Sequence, residues 1–349
     1  MLTSTAVPSP TEALVDNLLD WEPVPRPERF TGQFAFDGTW LVTQTMTDAG
    51  KMFPYVNLLA RKMNETDREI FAFPEGKTAA RYEWGSGMEL VAGRLAFVVG
   101  PLMGDTTFGY EVWLFDLESG EKTQVKVSDR ALPGIALSER WLAVLDSTSE
   151  QSETGERCIE VYALPGLARL QVFCTEDRIN WPELSGDWLT YKRYAAGKEW
   201  ETNFPSIETL NLVTGETHST STNSRAVSLK IYSSESLIAW QEDEQIVVWP
   251  RPGDPQKTLD KVRFGSNWAA LQVCGERVYY TADHQGAMEL RSWQMDGTVQ
   301  VLHRYRGLTQ FDPEYKDLPQ YDFVEILCGR DWVMFQTSKA DFFVAKDGK

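Results

Sequence analysis

The strongest constraint in this chain is a repeat. Seven times, a small polar turn precedes a strand-like run that opens on an apolar or aromatic residue. The pairs are Asp37-Gly38 before Trp40-Leu41-Val42, Ala92-Gly93 before Leu95-Ala96-Phe97, Ser138-Glu139 before Trp141-Leu142-Ala143 and Ser185-Gly186 before Trp188-Leu189-Thr190. They continue with Ser234-Glu235 before Leu237-Ile238-Ala239, Cys274-Gly275 before Val278-Tyr279-Tyr280 and Cys328-Gly329 before Trp332-Val333-Met334. These are the turn residues that tight hairpins need. The starts lie 41 to 55 residues apart, a spacing that marks a repeat architecture.

A second pair of strands recurs within each unit. Residues 111–117 precede Glu118-Ser119-Gly120-Glu121, and residues 207–212 precede Thr214-Gly215-Glu216. Residues 158–164 end at Pro165-Gly166, and residues 288–293 run towards Asp296-Gly297. The runs are short and many alternate, so the period is 2 and not 3.6. Four such strands cannot bury a core alone, whereas closing seven units radially leaves only short, protected edges. The expected fold is all-β: one domain over 1–349, a seven-bladed β-propeller of four-stranded antiparallel blades.

The ends of the chain predict how the ring closes. Residues 341–345 read as the third strand of blade 7, which then lacks a fourth. Within residues 1–28, the segment 21–27 can supply it. Pro23, Pro25 and Pro27 share one parity, so the missing N–H groups fall on the outer edge. Just before it, Ser9-Pro10-Thr11-Glu12 reads as a capping box and predicts a short helix.

The run Leu114-Phe115-Asp116-Leu117-Glu118-Ser119-Gly120-Glu121, with Thr214-Gly215-Glu216, resembles the blade motif of TolB-like and YVTN-type bacterial propellers. Blades 3, 5 and 7 lack the Asp-x-x-Thr-Gly pattern, and no repeated Trp-Asp dipeptide occurs. The resemblance implies architecture. That group includes binding modules, enzyme subunits and accessory domains, so function has to be argued from the site.

Charge and cysteine usage narrow the classes. With 34 Lys+Arg against 51 Asp+Glu the net charge is −17, which argues against nucleic-acid or anionic-membrane partners. No apolar run is long enough to cross a membrane as a helix, and the N-terminus lacks a basic leader. Four cysteines without a CxxC read as reduced thiols in a cytoplasmic protein. Cys158 and Cys174 face each other across the Pro165-Gly166 turn, the one pair expected to be able to bridge. Cys274 and Cys328 end first strands of neighbouring blades and are expected to lie too far apart.

Any site is expected on the face carrying the longer connections. These are the second-to-third loops 46–54, 100–109, 146–157 and 193–205, and the linkers 74–87, 262–268 and 305–320. No G-x-S-x-G, HExxH, P-loop or G-x-G-x-x-G is present, which removes the common hydrolase, zinc-protease and nucleotide-binding readings. No cofactor or metal site is expected. His284, with Asp283 to orient it, is a weak candidate base, while His218 and His303 fall on fourth strands and read as surface residues. The acidic runs 150–156 and Glu242-Asp243-Glu244 read as solvated loops.

The recurring feature of that face is an arginine at every blade entry: Arg29, Arg81, Arg130, Arg178, Arg225, Arg263 and Arg306, with Trp84, Trp181 and Trp268 close behind three of them. Arg and Trp anchor interfaces, through bidentate bonding to carboxylate or phosphate and through large apolar contact. One reading is a non-catalytic binding module in which an electropositive funnel captures a peptide, a protein segment or a small anionic ligand. The other is a structural ring in which Glu28, Asp129 and Asp177 pair with the adjacent arginines. A propeller lyase or hydrolase, and a structural interaction subunit, are the alternatives of other classes.

Overall fold

Alternating strands joined by tight turns fold into sheets whose two faces both need cover, and the ring supplies it. The computed structural model describes the chain apart from residues 1–13, 48–54, 64, 81–86, 103–108, 129–131, 148–156, 198–202, 224–230, 251–253, 262–269, 285–286, 308–316, 321–322, 330, 340 and 347–349. Seven antiparallel sheets follow one another along the chain. Blade 1 comprises Phe30–Phe36, Trp40–Thr47, Tyr55–Lys62 and Arg68–Ala72, and blade 4 comprises Arg178–Ser185, Trp188–Tyr194, Ser206–Asn211 and Thr217–Ser221. First strands of consecutive blades neighbour one another all the way round, blade 7 meeting blade 1, so they form the inner wall of a closed ring. The protein is a seven-bladed β-propeller, and its second strands begin within one residue of where the repeat places them, Arg94 and Arg277 each opening one residue early.

The core lies between blades. Seven hydrophobic clusters each span one seam, from Trp40, Val42, Leu95 and Phe97 between blades 1 and 2 to Phe34, Leu41, Met334 and Phe342 between blades 7 and 1. Within one strand Trp40 and Val42 face one seam while Leu41 faces the other. Each sheet is therefore apolar on both faces, and each fully buried large side chain contributes about 2–3 kcal/mol.

Ring closure follows the expected route. Glu22–Val24 pairs antiparallel with Phe342–Lys346 as the fourth strand of blade 7, with Val24 opposite Phe342 and Pro23 opposite Phe343. A further strand precedes it. Leu14–Asp16 runs parallel to residues 299–301 and adds a fifth strand to the edge of blade 6. The capping box lies outside the described residues, but residues 14–16, which the expected helix would have included, are extended. From there the chain crosses the seam as a strap. The Asn17 and Leu19 amides donate to the carbonyls of Val301 and Leu302 at 3.0 Å. Trp21 stands edge-on to Phe335 at 4.7 Å and donates from Nε1 to the Leu302 carbonyl at 3.2 Å. Pairing with a free sheet edge satisfies more backbone groups here than an isolated helical turn would.

The cysteines differ from expectation. Cys158 and Cys174 occupy directly opposed positions, Cα to Cα 4.1 Å, and are bonded. Cys274 and Cys328 are bonded as well, with Cα atoms 6.3 Å apart, inside the range a disulfide spans. The expectation of too great a distance fails because first-strand ends of adjacent blades converge at the inner wall. All described cysteines are paired.

Candidate functional site

The strand order gives the ring two unlike faces. Turns between first and second strands and between third and fourth strands emerge on one face. Second-to-third connections and inter-blade linkers emerge on the other. Not every connection of the latter class is long: blade 5 joins Leu237–Glu242 to Gln245–Pro250 through Asp243 and Glu244 alone, with Asp243 at a φ of 51°. In blade 6 only residues 285–286 separate Arg277–His284 from Ala287–Gln294.

Of the arginines at the blade entries, Arg81, Arg130, Arg225 and Arg263 lie outside the described residues, as do Trp84, Trp268 and the side chain of Trp181. The other three behave differently from one another. Arg29 is exposed at the head of blade 1, its φ of 62° placing it in the left-handed region, and its carbonyl accepts from the Met46 amide at 3.0 Å. Arg306 is half-buried, donating its amide to Pro319 at 2.8 Å and Nη2 to Gln320 Oε1 at 3.4 Å. Its Nε is buried without a hydrogen-bond partner, so Arg306 belongs to the linker rather than to the open mouth.

Arg178 is exposed at the start of blade 4, its guanidinium 5.7 Å from the centre of the Tyr194 ring. Register sets a cation beside it. Arg178 is opposite Tyr194, and Asn180 is opposite Lys192 two residues earlier on the second strand. Arg178, Tyr194 and Lys192 thus share one face of the sheet. That face also carries Ile207, opposite Lys192, in the seam with blade 5. Lys192 is fully buried. Burial, and then the nearby Arg178 charge, press its ammonium down to about 7. Burial raises the Tyr194 hydroxyl, with Arg178 working in the opposite sense. The acid next in sequence is used elsewhere. Asp177 is bonded by the Arg193 guanidinium and takes the Ala196 amide at 2.7 Å, and these bonds hold its carboxyl below the usual range against a burial penalty. Sequence showed Arg178; Lys192 was not singled out, because a lysine inside an alternating strand reads as surface.

The remaining candidates are placed as follows. Asp283 is half-buried at the penultimate position of the second strand of blade 6, opposite Met288. His284 ends that strand instead of lying in a loop, and its side chain is outside the described residues. His218 bonds Glu216 at 2.9 Å. His303 is no surface residue: Trp21, Tyr305 and Phe335 surround its ring at 5.9, 6.3 and 5.6 Å, and burial lowers its pKa to about 4. Glu242 is likewise not solvated; it is buried, accepting from the Asn223 amide and from Trp240 Nε1 at 3.1 Å. Residues 150–156 lie outside the described residues. Among those described, no three His, Cys, Asp or Glu side chains are placed to hold a metal ion, and no helix is long and apolar enough to cross a membrane.

The short-turn face is built as a hoop of dissimilar latches. Asp37 caps its own turn and accepts from the Gly93 amide of blade 2 at 2.7 Å. Arg94 reaches the Glu139 carbonyl of blade 3 at 2.9 Å. Arg140 and Trp141 Nε1 both bond Asp187 of blade 4 at 2.8 Å, and Gly186 packs under the Glu235 side chain of blade 5. Ser234 Oγ donates to the Gly275 carbonyl of blade 6 at 2.5 Å. Cys274 is bonded to Cys328 of blade 7, and Gly329 meets Asp37 and Gly38 of blade 1 backbone to backbone, with no room for a Cβ on either glycine. Among the described residues, two cavities open on this face. One of about 420 Å³ is bordered by Asp37, Trp40, Gly93, Glu118 and Glu139. The other, of about 760 Å³, lies between blades 6 and 7 and is bordered by Arg277, Met295, Asp296 and Trp332. Cys328 and Gly329 border both.

No protein-family model matches the sequence, and no curated protein is significantly similar to it. Solved structures do match. The β-propeller domain of the Trilobed protease from Pyrococcus furiosus, described as having an open velcro topology, aligns with a TM-score of 0.59 at 12% identity, covering 91% of this chain and 93% of that one. An acylaminoacyl peptidase from Pyrococcus horikoshii aligns at 0.58 and 12% identity, over 88% of this chain but only 49% of the peptidase. TolB from Acinetobacter baumannii aligns more loosely, at 0.43 and 12% identity, over 92% of this chain and 86% of that one. Likeness at this identity extends to fold and no further. By blade count, strand order and seam packing, the chain is a seven-bladed β-propeller closed by its own N-terminal strand.

Proposed function

We propose that this propeller is a non-catalytic binding module whose long-loop face takes a peptide or protein segment through an anionic group, a carboxylate above all. The observation that carries this reading is the cluster at the head of blade 4. In a chain of net charge −17, Arg178 and Lys192 share one sheet face, while the neighbouring Asp177 is committed to Arg193. A buried ammonium already pressed towards neutrality gains from an anion held by Arg178, since the anion restores its charged form. Exposed Arg29, which makes no ion pair among the described residues, adds a second cation on the same face, and the fork geometry of both suits a carboxylate.

Calorimetric titration with a short Asp/Glu-rich peptide bearing a free C-terminus tests the reading. The expected result is binding that weakens about tenfold or more in the Arg29→Gln/Arg178→Gln variant, as loss of charge-assisted hydrogen bonds implies, with the melting temperature nearly unchanged. Equal affinity in wild type and variant, or no binding of this peptide to the wild type, would overturn it.

A further inference from the structure

The seams of this ring are held at the inner wall by hydrogen bonds, ion pairs and glycine contacts, and at one seam, between blades 6 and 7, by a covalent bond. We infer that Cys274–Cys328 is a redox-modifiable clasp, a site of thiol–disulfide exchange with a dithiol reductant, whose opening frees the blade 7 turn. Three observations lead there.

The first is access. Neither cysteine is fully buried, both border the cavity of about 760 Å³, and Cys328 also borders the one of about 420 Å³. A thiolate can therefore approach from solvent, which exchange requires. The second is position. Cys328 and Gly329 border both cavities, so releasing this turn changes two clefts at once, one between blades 6 and 7 and one reaching blades 1, 2 and 3. The third is the contrast with the other disulfide. Cys158–Cys174 links two strands already paired over their whole length inside blade 3, so reducing it leaves every seam as it was. Cys274–Cys328 ties strands of different sheets, 54 residues apart in sequence.

The exchange balances without any group from the protein beyond the two sulfurs. One thiolate of the dithiol bonds to one cysteine sulfur, and the other cysteine leaves as a thiolate and takes a proton. The second thiol of the reductant then displaces the first cysteine. Two cysteine thiols and an oxidised reductant result, with two electrons transferred. The strap of residues 14–24 still holds the outer rim of the same seam, so the reduced ring opens on its inner side without falling apart.

The Cys158→Ser/Cys174→Ser variant isolates the clasp. After incubation with oxidised glutathione and removal of the excess, alkylation of the unfolded variant is expected to find no free thiol, and after dithiothreitol two. Hydrogen exchange followed by mass spectrometry is then expected to show Leu271–Cys274 and Phe323–Gly329 exchanging about tenfold faster in the reduced form, a local opening, while strands of blades 2 to 4 are unchanged. A Cys274→Ser/Cys328→Ser variant should exchange fast in that region with or without dithiothreitol. Two alkylatable thiols after the oxidising treatment would overturn the proposal, and so would exchange in blades 6 and 7 that ignores reduction. If the seam variant fails to fold, the reduced and oxidised forms of the first variant still decide the matter.

Discussion

The two faces of the ring grow from the same repeat and have opposite chemistry. On the short-turn face each polar side chain at a blade boundary has a neighbour to hold: Asp37 the Gly93 amide, Arg140 the Asp187 carboxylate, Ser234 the Gly275 carbonyl. Charge is spent on closure there. On the long-loop face, at blade 4, Arg178 and a buried Lys192 are gathered on one side of a sheet while the adjacent acid turns away to Arg193. Burying an ammonium is costly, and a closure device would have avoided it. The difference is one of degree, since the long-loop end also carries latches between blades, such as Gln44 on the Ala79 amide and Lys126 on Asp146 and Glu160; blade 4 is where its cations stand together while the adjacent acid is held by Arg193.

The comparison can be broken most severely at the strap. Deleting residues 1–27 removes the fourth strand of blade 7, the buried Val24, the partly buried Trp21 and the fifth strand of blade 6. That loss is expected to take the larger part of the ~10 kcal/mol a domain of this kind possesses. Thermal melting checks it, and an unaltered midpoint would show that closure does not depend on the N-terminal strand.

A smaller effect comes from His303, which the strap covers through Trp21. The unfolded chain protonates this histidine near its usual value of 6.5, while the folded ring resists until about 4. The unfolded state therefore binds more protons across that window, and stability is full above pH 6.5 and lost as pH falls towards 4. The loss is about 3 kcal/mol at most. Denaturant titrations at pH 7 and 4.5 should show this component in the wild type and its absence in His303→Phe, whose ring suits the aromatic surroundings. A slope identical in both proteins would remove His303 from the account.

The smallest effect sharpens the contrast between the faces. Asp37→Ala forfeits a turn cap and the hydrogen bond to blade 2, and is expected to cost about 1–2 kcal/mol. Removing Arg29 and Arg178 together should change stability by less than about 0.5 kcal/mol, as exposed substitutions do. Comparable losses from both would mean that the two faces are equally structural.

Much of the fold was legible because a β-blade is a local object. Strand starts such as Trp40, Trp141, Trp188 and Trp332 follow their turn residues within three positions, and hairpin pairing joins segments adjacent in sequence. The prolines at 23, 25 and 27 identified an outer strand for the same reason, since a missing N–H is tolerable only on an edge. The candidate site was legible in part. Arg29 and Arg178 stand exposed where the linkers place them, while Arg306 sinks against Gln320. Lys192 and His303 read as surface residues and Glu242 as part of a solvated loop, because alternation predicts a solvent face for each strand, whereas in the ring both faces of a sheet pack into seams.

The number of blades, the approximate starts of the second strands and the source of the closing strand were determined by the sequence itself, through a period-two pattern and turn residues that act over a few positions. The tertiary structure alone decided that Cys274 reaches Cys328, that Leu14–Asp16 joins blade 6 and that Lys192 lies buried beside Arg178. Those facts depend on how far the inner ends of neighbouring sheets converge and which surfaces the seams cover. Ring curvature sets both, and it arises from the packing of all seven seams at once rather than from any one segment of chain.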